Sequence, residues 1–202
     1  MDVKVAKKLL RERIWRDLTE RKVATFPLPV FGRVPNFIGS EDAANRVRQL
    51  DEWRKAKVVF ANPDAAQRKV RENALKEDKI LVMASPRLKH GFIVVNPKTV
   101  RGENRQASTI AGAFRFGKET TDFPKPDLIV TSCVAVDGKG HRLGKGHGYG
   151  DIEIRMVKEK FGKIPVVTTA HDLQVVADVP FDSHDEDVDV IVTPTRIIRV
   201  ES

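Results

Sequence analysis

With a single cysteine, Cys133, the sequence cannot build an internal disulfide framework, which excludes a small secreted domain stapled by disulfides and suits a reducing, cytoplasmic setting. It has no apolar run approaching the roughly 20 residues that a membrane-spanning helix needs. Its basic N-terminus, with Lys4, Lys7, Lys8 and Arg11, leads into no apolar core of a signal peptide. The five histidines lack zinc-ligand spacing, and one cysteine gives no structural zinc site. Aromatic residues make up only 6% and form no stripe through a basic face, so binding of RNA is possible but not favoured. The two standard phosphate-loop signatures are also missing. No register supplies G-x-G-x-x-G, and five residues separate Gly138 from Gly144, with Gly146 following Lys145 where a Walker loop has four and then Ser or Thr. There is no G-x-S-x-G elbow, no internal repeat and no low-complexity segment.

What is present is enough apolar material, 41% of 202 residues, for one α/β domain spanning 1–202. The formal charge is +8, interspersed with 28 acidic residues, which suits an anionic partner such as a phosphorylated small molecule. Ala6, Leu10, Ile14 and Leu18 recur every fourth residue, with Leu9 widening the stripe, and predict an amphipathic helix over 3–20. Lys7 and Arg11 share one of its faces, either as a solvated flank or reaching over a phosphate. The segment Phe26 to Phe37 is held extended by its prolines. Ser40 is a helix cap, and Asn62-Pro63-Asp64 a helix start. Short apolar strands are expected at 57–61, 80–84, 92–95, 128–132, 165–169, 190–193 and 197–200, while residues 97–124 show no clear period. Strands of this kind alternating with helices predict a mostly parallel sheet covered on both faces, with ligands beyond the carboxyl ends of its strands. The glycine loop, Ser85-Pro86-Arg87 and Thr193-Pro194-Thr195 all follow strands and so are candidates for one rim.

The stretch that organises the rest is Arg142-Leu143-Gly144-Lys145-Gly146-His147-Gly148-Tyr149-Gly150-Asp151. Alternating glycines suit neither a helix nor a strand interior, but they let a backbone turn tightly and aim several N–H groups at one point. With Arg142 and Lys145 beside them, those donors suit a phosphate. A helix follows, with Asp151 as N-cap, Ile154, Val157 and Phe161 on its inner face, and Gly162 as C-cap. The plain alternative is a flexible hairpin. The acidic run Asp182 to Asp189 is either a solvated loop or a source of a Mg²⁺ carboxylate, with Asp151 as a second oxygen ligand. His171-Asp172 is an acid–base pair or a locally satisfied strand end. Cys133, within an apolar run, reads as core.

Several of these segments together resemble the 5-formyltetrahydrofolate cyclo-ligase family, also called methenyltetrahydrofolate synthetases. The residues that carry the likeness are Lys7-Lys8-Leu9-Leu10-Arg11, Asp127 to Val130, Asp137-Gly138, Arg142 to Tyr149, Asp151, and His184-Asp185 ahead of Val188-Asp189. Phe26-Pro27, Arg33 to Phe37, Asn62-Pro63-Asp64, Pro86-Arg87-Leu88, His171 to Val176 and Thr193 to Arg196 are similar to its methenyltetrahydrofolate synthetase domain-containing branch. The resemblance implies a three-layer sandwich of the glucosamine-6-phosphate deaminase and CoA-transferase type, and an Mg-ATP-dependent closure of 5-formyltetrahydrofolate, or a related pterin, to the 5,10-methenyl form. By the same resemblance, Lys7, Arg11, Arg142, Gly144, Lys145, Gly146, His147, Gly148 and Tyr149 would hold ATP, Lys145 and Tyr149 would stand at the reacting groups, and Asp151 and Asp185 would hold Mg²⁺. The family pattern of two tyrosines, Asp and Arg becomes Tyr149, Gly150, Asp151 and Ile152, and Glu41 is the nearest counterpart of the family's folate-contacting glutamate. A non-catalytic nucleotide- or RNA-binding protein on the same fold is the alternative.

Overall fold

The computed structural model of the chain describes residues 1–201. α1 (Val3–Glu20) is followed by the short pair β1 (Ala24–Thr25) and β2 (Asn36–Phe37), then α2 (Ser40–Val47), α3 (Asp51–Lys55) and β3 (Val58–Ala61). α4 (Arg68–Lys76), β4 (Ile80–Ala84) and β5 (Phe92–Val95) lead to α5 (Pro97–Val100), α6 (Asn104–Ala107), α7 (Ile110–Phe116) and β6 (Lys118–Thr120). The second half holds β7 (Leu128–Thr131), β8 (Ala135–Asp137), β9 (Arg142–Leu143), α8 (Tyr149–Phe161), β10 (Val166–Thr169), β11 (Val175–Val176), β12 (Val190–Val192) and β13 (Ile197–Arg199).

Eight strands form the central sheet in the order β13-β12-β10-β7-β3-β4-β5-β6. The inner pairings β12–β10, β10–β7, β7–β3 and β3–β4 are parallel, and the edges are antiparallel. The apolar strands explain this placement. β3, β7 and β10 are buried at every position, which only a central strand covered on both faces requires. Successive side chains alternate between the faces. Val59 and Ala61 therefore join a cluster with Val47, Trp53, Val70 and Ala74 of α2 to α4. Val58 and Phe60 join another with Ile154 and Val157 of α8. Full burial of a side chain such as Phe60 or Leu81 contributes about 1.5–3 kcal/mol.

A third cluster sets α1 in place. Leu10, Ile14, Trp15 and Leu18 pack on Val134, Ala135 and Leu143, which belong to or adjoin the small sheet β11-β8-β9. The predicted stripe of α1 is buried at Leu10, Ile14 and Leu18, whereas Leu9, expected to widen it, is exposed, and Lys7 and Arg11 are left beside the glycine loop. The fold is the expected α/β arrangement, a large, mostly parallel sheet with helices on both sides.

Three local expectations are corrected. Asn62 does not cap a helix. A 3-10 turn at Ala65–Gln67 intervenes and α4 begins at Arg68; among the described residues the Asn62 oxygen accepts only the Asp64 N–H, at 3.4 Å, and its NH2 group donates to Ser132 and Thr131. Ser40 is the first residue of α2 rather than its cap, which is Gly39 at φ 93°. Asp151 is not the N-cap of α8. That role falls to Gly148 at φ 74°, and Asp151 stands in the first turn with its carboxylate turned to Arg142. Gly162 does terminate the helix, at φ 84°. The unreadable stretch 97–124 holds three helices of four, four and seven residues, too short to display a helical period.

Candidate active site

The glycine loop connects β9 to α8 and runs over the edge of α1. Gly146 (φ 116°) and Gly148 (φ 74°) take backbone conformations that other residues resist, which allows the chain to double back within four residues. Two arginines fix it. Arg11 donates from Nε to the Gly144 carbonyl at 2.7 Å, and its guanidinium lies under Gly146, 3.6 Å from where a Cβ would stand. Arg142 is buried. It donates to the Ser132 carbonyl at 3.0 Å and to Asp151 Oδ1 at 2.7 Å, with its fork pressed against the Cα of Gly150. Gly150 therefore has a steric reason. A Cβ there would lie 3.0 Å from Arg142 Nη2, so any side chain at this position would require the buried guanidinium to give by a few tenths of an ångström. α8 begins with no side-chain cap, leaving its first N–H groups and its positive dipole end open at the loop.

Two cavities flank the loop and share Gly144, Gly148 and Asp151 as walls. The larger, about 590 Å³, is bordered by charge: Lys4, Lys7, Arg11 and Arg155 against Asp151, Asp182 and Asp185. Lys7 Nζ stands 2.7 Å from Asp182 and 2.5 Å from Asp185. Burial works against the charge on Lys7, but those two hydrogen bonds outweigh it and hold the pKa above its ordinary value. The Lys7 bond and the His184 N–H pull Asp182 down to about 2. The acidic run is therefore no loosely solvated loop. Asp182 and Asp185 clasp α1, while Glu186 pairs with Arg155 and Lys158 of α8. Asp151 Oδ1 accepts from Arg142 and from the Glu186 N–H. Two hard carboxylates beside an open, cation-bordered cavity fit a Mg²⁺ that arrives with phosphate oxygens and water. Among the described residues no group of three or more His, Cys, Asp or Glu gathers into an all-protein metal cage.

The smaller cavity, about 320 Å³, grades from polar to apolar. At its buried end are Asn62, Ser132 and Glu153, with the half-buried Asp64 beside them. Asp64 is held by the Ser132 hydroxyl at 2.5 Å, and Ser132 by the Asn62 amide at 2.7 Å. Pro27, Val34, Pro63 and Ile110 wall it, and Arg87 stands exposed at its mouth. Lys145, His147 and Tyr149 face it from the glycine loop. Glu153 is only 5% exposed, and burial together with the nearby Asp64 pushes its pKa up to about 8 despite Arg142 and Lys145. Sequence reasoning missed Glu153. Its one signal was a glutamate four residues before Val157, on the stripe that faces the core.

The expected site residues thus converge, divided by the loop. Lys7, Arg11, Gly146 and Asp185 line the larger cavity, and Lys145, His147 and Tyr149 the smaller, while Arg142 reaches the smaller one from beneath. Pro86-Arg87 and Thr193 to Thr195 both follow parallel strands at the carboxyl end of the sheet, as expected, but of the two only Pro86-Arg87 lines either cavity; the Thr193 and Thr195 hydroxyls donate to Asp172. His171 and Asp172 are satisfied locally. His171 Nδ1 accepts the Leu173 N–H, and Asp172 accepts from Thr193 and Thr195. Glu41 borders a separate surface hollow with Lys69 and Glu72. Of the Phe26 to Phe37 segment only Pro27 and Val34 reach the smaller cavity; Phe31 leans on Trp15 and Phe37 is buried against His171.

The model of the 5-formyltetrahydrofolate cyclo-ligase family matches residues 3–194. A methenyltetrahydrofolate synthase domain-containing protein of Mus musculus is 39% identical over 208 residues, covering 96% of this chain and 55% of that protein. Its Homo sapiens counterpart is 37% identical, covering 97% of this chain and 54% of its own length. The chain spans about half the length of these curated relatives. The solved 5,10-methenyltetrahydrofolate synthetase of Aquifex aeolicus superposes with a TM-score of 0.61 at 23% identity, over 97% of this chain and 93% of that one. That of Mycoplasma pneumoniae gives 0.54 at 15% identity, over the whole of both chains. These two likenesses speak to the fold. The family match runs from the first residue of α1 past the acidic run, and so takes in every element that borders the two cavities. The chain belongs to the 5-formyltetrahydrofolate cyclo-ligase family.

Proposed function

We propose that the chain is an Mg-ATP-dependent cyclo-ligase that closes 5-formyltetrahydrofolate, or a closely related pterin, to its 5,10-methenyl form. The observation that carries this reading is the pair of unlike cavities meeting at one glycine loop, a charged one on the α1 side and a graded polar-to-apolar one on the other. The charged cavity suits a triphosphate and the graded one a flat heterocycle, so their shared wall is where a γ-phosphate and a formyl oxygen would meet.

Arg11, Lys145, the loop N–H groups and the start of α8 are the donors for phosphate oxygens. Lys7 joins them when its carboxylate partners are drawn to a cation. Asp151 and Asp185 are the residues that would hold Mg²⁺, which when bound neutralises phosphate charge. In the reaction the formyl oxygen takes the γ-phosphoryl group and ADP leaves. N10 then bonds to the activated carbon, loses its proton to water, and phosphate departs. The protein's contribution is to align the two substrates, exclude water and hold negative charge, and no protein nucleophile is required. Tyr149, first residue of α8, lines the smaller cavity next to the shared Gly148 and offers its hydroxyl to the transferred group. Mixing protein, Mg-ATP and 5-formyltetrahydrofolate should raise the absorbance of the methenyl product, and only with all three present. No rise with folded protein would favour a nucleotide-binding protein without turnover.

A further inference from the structure

Buried polar groups are normally partnered, because an unmet hydrogen-bonding group inside a protein loses its water without replacement. Glu153 finds no such partner among the described residues; its oxygens open on the smaller cavity instead, and the proposed phosphate chemistry does not use it. It is 5% exposed, lines the smaller cavity, and accepts no hydrogen bond from any side chain or from any loop backbone N–H among the described residues. The groups around it are otherwise engaged. Asn62 donates to Ser132, Ser132 to Asp64, and Arg142 to Asp151 and the Ser132 carbonyl. The result is a second carboxyl, Asp64, fixed beside Glu153 at the same end of the cavity with no free cation between them. Lys145, a cationic side chain left without an ion pair among the described residues, borders the same cavity from the glycine loop.

We infer that Glu153, with Asp64 beside it, is the specificity-determining contact of the smaller cavity, and that it accepts hydrogen bonds from a heterocycle edge carrying adjacent ring N–H and exocyclic amino groups. This rests on the reading of the smaller cavity as the folate pocket and names the residue that meets the ring. Two carboxyl groups side by side at one end of the cavity set several acceptor oxygens together and suit a donor-rich edge, whereas a phosphate there would meet like polarity. The apolar walls from Pro27, Val34, Pro63 and Ile110 match a flat ring, and Arg87 at the mouth matches an anionic substituent pointing outward. Arg87 is no casual surface residue. It and Leu88 hold φ of 57° and 53°, a costly pair, in a turn tied by Ser85, whose hydroxyl bonds the Gly91 carbonyl and the His90 N–H.

Calorimetry on the full chain tests this with two probes, 5-formyltetrahydrofolate and an analogue lacking the exocyclic amino group. Wild type should bind the first at least tenfold more tightly than the second. Glu153→Gln keeps the shape and one acceptor oxygen but sets an NH2 donor where the second acceptor stood, against a ligand edge that itself donates. It should lose tenfold or more for 5-formyltetrahydrofolate, bind the two probes alike, and keep its Mg-ATP affinity within about twofold, which also shows that it is folded. Arg87→Ala should weaken both probes equally. If Glu153→Gln binds 5-formyltetrahydrofolate as wild type does, or wild type does not distinguish the probes, the assignment of Glu153 is wrong while the folate reading stands. If wild type binds Mg-ATP but neither probe, the folate reading and this assignment fall together.

Discussion

A lysine that borders a cavity without an ion pair looks to the ligand for its counter-charge. Among the described residues Lys145 is in that position, whereas Lys7 is held by Asp182 and Asp185 and Arg142 by Asp151. A charge-assisted hydrogen bond contributes about 1.5–3 kcal/mol, so Lys145→Ala should weaken Mg-ATP binding by roughly 10- to 100-fold. Equal affinities in calorimetry would remove Lys145 from the phosphate site. Cys133 illustrates the opposite case, a reactive group made inert. It is fully buried, and burial pushes the thiol up to about 11, against a smaller pull from Thr168 and Arg142. A folded-state pKa raised above the unfolded value of 9.0 means that its contribution to stability is full below that pH and is lost as pH rises towards 11. Alkylation of the native protein should therefore be slow, and its rate should still be rising with pH beyond 9. A fast rate that levels off at about pH 9 to 10 would show an accessible thiol of ordinary pKa. The core reading of Cys133 was open to sequence because its neighbours are apolar. Glu153 was not, since nothing in a linear pattern tells a glutamate turned inward from one lying in solvent.

Among the elements, α1 and the acidic run work as one unit. The stripe Leu10, Ile14 and Leu18 docks the helix, and the salt bridges from Lys7 to Asp182 and Asp185 draw residues 182–186 across the charged cavity. Sequence made the helix legible through its period and the glycine loop through its spacing. It did not reveal that the acidic run closes on α1, because that contact spans 175 residues and 178 residues of chain. Asp151 was misread as a cap for the same kind of reason. A first-turn carboxylate and an N-cap carboxylate look alike in sequence, and the long-range partner, buried Arg142, decides between them. Asp185→Asn removes one of the two anions on Lys7 and leaves Asp182. The fold should survive, with a small fall in melting temperature, while the gain in ATP affinity on adding Mg²⁺ should shrink several-fold. If that gain is unchanged, Asp185 serves only to hold α1.

For the molecule as a whole, the parallel strands bring Asn62 after β3, Pro86-Arg87 after β4 and Ser132 after β7 to the same end of the sheet, and the glycine loop is laid over them by the small sheet β11-β8-β9. Continuous apolar strands made that architecture readable in advance. The division of the site into two cavities was not readable, because it depends on which way each loop side chain turns. The central claim is that the two cavities serve one reaction across their shared wall. It is tested most directly by following ADP and methenyl product together in one mixture of protein, Mg-ATP and 5-formyltetrahydrofolate. The account predicts little ADP without the folate and one ADP for each methenyl product formed with it. ADP formation that proceeds at the same rate with and without the folate, or folate binding that leaves ATP intact, would contradict it.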